Sequence, residues 1–315
     1  DQKGVTAYRA ACNVGWAPGC RSLGQLARDG RGMDRDLSLA ISVFARACND
    51  RNALACRDLS NLLMNGADSA RAVLNESCTR GELANCVELA NMLHDGVGGA
   101  VDLKRAAEVM DSGCRRGFQK ACAAYGNYLL NGDGVDRDKT AGRELIGQAC
   151  ERGEQNACVD LGSIYRDGTG LPRDPARAKT LFDQACELKN GWGCVNLGRM
   201  FTSGKGIAPD PARARDYFGR ACSFQNGWGC NELGDMLRDG RGGPVDLPGA
   251  ADAYERACAA GTPWGCVFRA DLYRSEHQPA DYLSRACEFY KQACDAGLAQ
   301  GCTQHAGLCR GGAPQ

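Results

Sequence analysis

The residues of this chain best equipped for chemistry are its 20 cysteines, and they recur at a fixed interval. Cys12 and Cys20, Cys48 and Cys56, Cys78 and Cys86, Cys114 and Cys122, Cys150 and Cys158, Cys186 and Cys194, Cys222 and Cys230, Cys258 and Cys266, and Cys294 and Cys302 each lie eight apart, nine pairs in all. Successive pairs follow at 36 residues, with one step of 30 between Cys48 and Cys78. Paired thiols serve as disulfides, as part of a zinc site or as a haem anchor. A structural zinc site wants four ligands around one ion, whereas each pair offers two, and the next pair lies a helix-packing distance of roughly 8–10 Å away. No CxxCH occurs, and His94, His277 and His305, the only histidines, read as surface or loop residues. Geometry therefore favours disulfides over zinc, and no cofactor is expected.

The elements that position these pairs follow from periodicity. Counting back from Cys186, apolar residues stand at Ala185, Phe182, Leu181 and Ala178, the stripe of a helix buried on one face. Ala221, Phe218, Tyr217 and Ala214 repeat it, as do Ala257, Tyr254, Ala253 and Ala250. Asp36, Asp138, Asp174 and Asp210 stand just ahead of these helices as N-caps, with Pro175 and Pro211 at the first helical position. After the second cysteine a shorter helix begins, as in CVDLGSIYRDG at 158–168, with Leu161, Ile164 and Tyr165 inward. Gly162, Gly198 and Gly234 let a neighbouring helix approach, and Gly168, Gly204 and Gly240 stop the helix. No segment alternates apolar and polar residues, so the chain is all-α.

Each cysteine pair thus sits at the base of an antiparallel helix hairpin, where a disulfide fits. Closing so small a loop stabilises a hairpin by about 2–3 kcal/mol on the loop-entropy model. Two cysteines remain. Cys287 lies seven before Cys294 and Cys309 seven after Cys302, which places them opposite each other about two helical turns from the bend. The expected result is a second rung, Cys287–Cys309; the alternative is two free thiols.

Composition limits the partners. Lysine plus arginine number 38, as do aspartate plus glutamate, so no excess charge draws the chain to nucleic acid or anionic lipid. No apolar run approaches the roughly 20 residues of a bilayer crossing, and membrane insertion is not expected. The first residues, DQKGVTAYRA, contain no basic-then-apolar export signal, so an export segment is expected to be missing from this sequence. No Ser/His/Asp grouping or HExxH is present, and paired carboxylates such as Glu232 and Asp235 are ordinary at helical spacing. DGxG turns such as RDGRGMDRD at 28–36 lack the oxygen ligands and terminal glutamate of an EF-hand loop.

Two stretches, GCNELGDMLRDGRGGPVDLPGAADAYERAC at 229–258 and ACVDLGSIYRDGTGLPRDPARAKTLFDQAC at 157–186, resemble the Sel-one-like repeat, a relative of the tetratricopeptide repeat. The paired cysteines are similar to those of the Helicobacter cysteine-rich protein family. The resemblance covers essentially the whole chain, with departures at GADSAR (66–71) and at SEHQPADYLSRACEF (275–289), where the glycine-rich turn is lost and the helix is expected to start at Pro279. It implies a right-handed α/α superhelical solenoid of disulfide-stapled helix hairpins, about eighteen helices. The array is expected to run unbroken over 1–315, with a C-terminal cap at about 279–310.

In related solenoids the first helix of each repeat lines the concave side. Positions two, five and nine after the second cysteine share a face there and are mostly polar: Asp58, Asn61, Glu88, Asn91, Asp160, Ser163, Asn196, Arg199, Glu232 and Asp235. This row is the expected groove floor; the alternative is a merely solvated face. Trp192, Trp228 and Trp264 recur at one repeat position, with Trp16 in a shifted one. They serve either as interface anchors for a peptide or glycan or as covers for the neighbouring disulfides.

The resemblance implies a non-catalytic adaptor that grips a protein or peptide, bacterial and extracytoplasmic (periplasmic or secreted), with toxin immunity or secretion as concrete versions. Its enzymatic rival is a β-lactam or cell-wall-fragment binder with weak β-lactamase activity, for which no nucleophile stands out. A haem-handling analogue in the mitochondrial intermembrane space fits less well, because no histidine cluster is present.

Overall fold

At the junctions between repeats a glycine ends one helix and an aspartate begins the next, as from Gly132 to Asp138, Gly204 to Asp210 and Gly240 to Asp246. Gly204 adopts φ 63° and closes one helix by donating its N–H to the Met200 carbonyl; six residues on, the Asp210 carboxylate accepts the Arg213 N–H and opens the following helix at Pro211. The same cap recurs at Asp36, Asp102, Asp138, Asp174 and Asp246. A carboxylate here satisfies an N–H that the first turn leaves unpaired, and its charge complements the helix dipole.

The computed structural model describes residues 2–13, 16–49, 55, 58, 59, 62, 67–81, 83–169, 172–276 and 281–309. Among them are 17 helices and no strand, arranged in two units, Asp1–Glu154 and Gln155–Gln315. The first unit holds α1 (Gln2–Asn13), α2 (Ala17–Asp29), α3 (Leu37–Asn49), α4 (Ala67–Arg80), α5 (Leu83–Asp95), α6 (Leu103–Arg115), α7 (Gln119–Asn131) and α8 (Lys139–Glu151). The second holds α9 (Gln155–Asp167), α10 (Pro175–Glu187), α11 (Gly191–Ser203), α12 (Pro211–Ser223), α13 (Gly227–Asp239), α14 (Leu247–Ala259), α15 (Pro263–Glu276), α16 (Tyr282–Asp295) and α17 (Ala299–Cys309). The further helix expected after Cys56 falls where only Ala55, Asp58, Leu59 and Leu62 are described, all four in helical conformation. Pro279 lies outside the described residues, and α16 begins at Tyr282. None of the described helices is long and apolar enough to cross a membrane.

The core is built from one contact used repeatedly. Phe44, Phe182, Phe218 and Tyr254 are essentially unexposed, and each ring lies against a glycine on the preceding helix: Gly24, Gly162, Gly198 and Gly234. A Cβ at Gly198 would sit 2.5 Å from the Phe218 ring, so no larger residue fits without moving it.

The hairpin bends use glycine differently. A Cβ at Gly193 would lie 2.7 Å from the Cβ of Ala185 across the hairpin, and one at Gly191 would lie 2.6 Å from the Cβ of Asn226 in the next repeat. Asn190 and Asn226 cap the helices that follow them through their side-chain oxygens. The NGWGC stretch is therefore a cap, a close contact to the next repeat, an indole, a close contact to the partner helix and a half-cystine. One turn position is unusual. Gly81, Gly117, Gly153, Gly261 and Gly297 take positive φ three residues after the first half-cystine, whereas Lys189 and Gln225 hold the same place at φ 64° and 58°. A left-handed conformation costs a residue with a Cβ about 1–2 kcal/mol.

Disulfides join Cys12–Cys20, Cys78–Cys86, Cys114–Cys122, Cys186–Cys194, Cys222–Cys230, Cys258–Cys266 and Cys294–Cys302, with Cα separations of 4.4–4.8 Å. Cys287–Cys309 forms the second rung of the last hairpin at 5.8 Å. Cys150 and Cys158 are both half-cystines. The pair Cys48–Cys56 lies outside the described side chains.

Candidate functional site

In the second unit the apolar stripe of each first helix faces the core, which leaves the positions two and five residues after the half-cystine half-buried or exposed. In the second unit these positions are cross-linked from repeat to repeat. Arg166 on α9 donates to the Asn196 side-chain oxygen on α11 at 2.7 Å, and Arg199 on α11 donates through Nε and Nη2 to Glu232 on α13 at 3.1 and 3.0 Å. Asn196 also donates to the Trp192 carbonyl. On α13, Asp235 accepts from the Tyr254 hydroxyl at 2.7 Å and pairs with Arg238 at 3.2 Å. Asp160, on α9, is half-buried. These pairs are partly exposed, so each contributes about 0–1 kcal/mol and acts mainly to orient side chains.

Two tyrosines are drawn into this row. Burial and the Asp235 carboxylate raise the Tyr254 phenol well above its ordinary range. Tyr290 repeats the arrangement against Asp271 and Arg274, and burial pushes it up to about 12. Both therefore remain neutral hydrogen-bond donors throughout the physiological range.

In the first unit Asp58 is buried and accepts from Arg21 at 2.7 Å and Gln25 at 3.2 Å, so its carboxylate faces α2 rather than open solvent. Asn61 lies outside the described residues. Glu88 is half-buried beside Asn91, which is exposed. Burial raises the Glu88 carboxyl above its usual value, against the opposing pull of the Lys120 charge and a hydrogen bond with Asn91. A carboxyl whose folded pKa is raised contributes its full stability when protonated, and that contribution is lost as pH rises through the folded pKa. Glu88→Gln should accordingly raise the melting temperature at neutral pH. The gain should shrink toward zero below roughly pH 4, where the native carboxyl is itself protonated; a pH series of thermal melts on both proteins checks this.

The three tryptophans do not share one environment. Trp192 and Trp228 are 44% and 45% exposed, whereas Trp264 is half-buried, its ring centroid 5.7 Å from that of Phe268. Phe268 occupies the position that Asn196 and Glu232 hold in the preceding repeats, so the polar row gives way to an aromatic one there. Sequence reasoning did not single out Arg21, Arg166 or Arg238, which organise the row, and it read Tyr254 only as part of a buried stripe. A signal was present: RDG recurs at 28–30, 166–168 and 238–240, and in each copy the aspartate takes the arginine's Nε at 2.6–2.8 Å. Those hydrogen bonds hold Asp29, Asp167 and Asp239 below the usual carboxylate range.

With this geometry in hand, the comparisons with known proteins are specific about the repeat. The family model described as Sel1 repeat matches residues 17–51, 119–154, 155–190, 193–223, 229–262 and 273–298. A Sel1 repeat protein from Oxalobacter formigenes is similar in structure at a TM-score of 0.60 and 21% identity, over 96% of this chain and 89% of its own. A protective antigen of uropathogenic Escherichia coli displaying an SLR fold aligns at 0.53 and 23% identity, over 98% of this chain and 68% of its own. Helicobacter pylori cysteine rich protein B aligns at 0.36 and 27% identity, over 42% of this chain and 95% of its own. No curated protein matches the chain.

Proposed function

Since this chain belongs to the Sel1 repeat family, we propose that it is a non-catalytic scaffold which holds a protein or peptide along the polar faces of its first helices, outside the cytoplasm. The observation that carries this reading is the linked row Arg166–Asn196 and Arg199–Glu232, leading to Asp235 on α13. Side chains that already hold one another lose little freedom when a ligand settles on them, which favours binding. The exposed indoles of Trp192 and Trp228 offer the kind of residue that most often anchors an interface. Extracytoplasmic action is supported by the eight described disulfides, a chemistry that persists in oxidising compartments.

The test is affinity capture from extracts of the native organism with the oxidised protein and a double variant, Arg199→Ala with Glu232→Ala. Removing both members of an exposed pair costs about 1 kcal/mol or less, so the variant keeps its fold. A partner enriched by the wild type and depleted about tenfold or more with the variant is expected. Equal capture by both proteins, or no partner at all, would remove the row from consideration.

A further inference from the structure

At three described turns the arginine near the end of a first helix is chelated by the aspartate that follows it. Arg28 contacts Asp29 at 2.6 and 3.0 Å, Arg166 contacts Asp167 at 2.8 and 2.9 Å, and Arg238 contacts Asp239 at 2.8 and 3.4 Å. On α15 the equivalent arginine is Arg274, but the next residue is Ser275. The fork has lost its carboxylate. Among the described residues Arg274 keeps the Tyr290 hydroxyl, 3.2 Å from Nη1, and the Asp271 carboxylate at 3.9 Å. That carboxylate already accepts a hydrogen bond from the Tyr290 hydroxyl.

The unmatched fork lines an open cleft of about 560 Å³ together with Asp271, Ser275, Tyr282, Leu283 and Leu308. Tyr282 and Leu283 come from the first turn of α16, and Leu308 from the last turn of α17. The Cys287–Cys309 bridge ties that last turn to α16, so the extra rung is what holds the apolar wall in place. Asp271 and Ser275 stand five and nine residues after Cys266, which puts the cleft at the C-terminal end of the polar row.

We propose that this cleft receives an acidic side chain of a bound polypeptide with a large apolar residue beside it. The incoming carboxylate takes the place at Arg274 that Asp239 holds at Arg238, and the apolar neighbour lies against Tyr282, Leu283 and Leu308. A guanidinium fork and a carboxylate match in charge and planar geometry, and such bonds are among the strongest available to a peptide. Asp271 sets a limit on charge: one carboxylate finds the fork, whereas a run of acidic residues meets repulsion. The proposal rests on the reading of the first-helix faces as the binding side and names the partner chemistry at one end of them.

Fluorescence polarisation with two labelled, end-blocked peptide amides tests it, one containing Leu-Asp-Leu between glycine and serine spacers and one containing Leu-Asn-Leu. The aspartate peptide should bind about tenfold more tightly or better, as expected for a charged hydrogen-bonded pair. Ser275→Asp supplies the carboxylate found at Asp29, Asp167 and Asp239, so it should weaken the aspartate peptide about tenfold while leaving the melting temperature unchanged or slightly raised. Arg274→Gln should remove the preference for aspartate. Equal affinity for the two peptides, no binding of either, wild-type affinity in Ser275→Asp, or displacement by millimolar inorganic phosphate would each overturn the proposal. Ser275→Asp leaves Arg199 and Glu232 untouched, so failure here leaves the row's reading standing, and failure of the capture experiment leaves this peptide result intact.

Discussion

In excess phosphine reductant the protein should lose its cooperative melt near the native temperature and unfold about 20 °C lower or more. Seven of the described bridges close loops with a sequence separation of 8, and one closes a separation of 22. The loop-entropy model assigns each small loop about 2–3 kcal/mol, a sum that does not add linearly. Even a net loss of 5–10 kcal/mol equals the whole stability of an ordinary domain, and at roughly 2–4 °C per kcal/mol it carries the melt down by tens of degrees. Cys222→Ala with Cys230→Ala isolates one hairpin and should cost about 2–3 kcal/mol in denaturant titration. An unchanged melt after complete reduction, verified by thiol counting, would show that packing alone holds the hairpins.

The second large effect concerns the ring-on-glycine contact. Phe218→Ala should destabilise the protein by about 3–5 kcal/mol, because it empties a site where the ring is essentially unexposed. Gly198→Ala should cost about 1–3 kcal/mol for the opposite reason, since its new methyl group would enter the space of the same ring. Shrinking the ring makes room for the methyl group that Gly198→Ala adds, so changes at the two positions should not be additive. Combining Gly198→Ala with Phe218→Leu should recover about 0.5–3 kcal/mol relative to the sum of the single variants. Urea unfolding of the four proteins measures the cycle, and strict additivity would mean that the ring and the glycine do not limit each other.

These contacts also mark how far the sequence could be read. The helix stripes, the aspartate caps at Asp138, Asp174 and Asp210 and the opposition of Cys287 to Cys309 follow from local periodicity, and the structure has all of them. Local rules suffice because each depends on residues within one helix or one hairpin. The polar row was legible as a face but not as a network. Arg166 reaches Asn196 across 30 residues and Arg199 reaches Glu232 across 33, and nothing in a single repeat says which neighbour a long side chain will choose. Trp264 departs from Trp192 and Trp228 because Phe268, four residues on, replaces a polar residue; the substitution is visible in the sequence, but its cover over the indole is a matter of packing. Lys189 and Gln225 carry no local signature of a left-handed turn and are identified only by the glycines at the equivalent positions of other repeats.

Each described bridge closes within a single hairpin, never from one hairpin to the next. As the polypeptide grows from its N-terminus, each pair of thiols can therefore meet before the following pair has appeared, and in oxidising surroundings bridge formation can keep step with the growing chain. Pulled from its ends, such a chain would yield hairpin by hairpin, and the residues inside each closed ring would add nothing to its contour length.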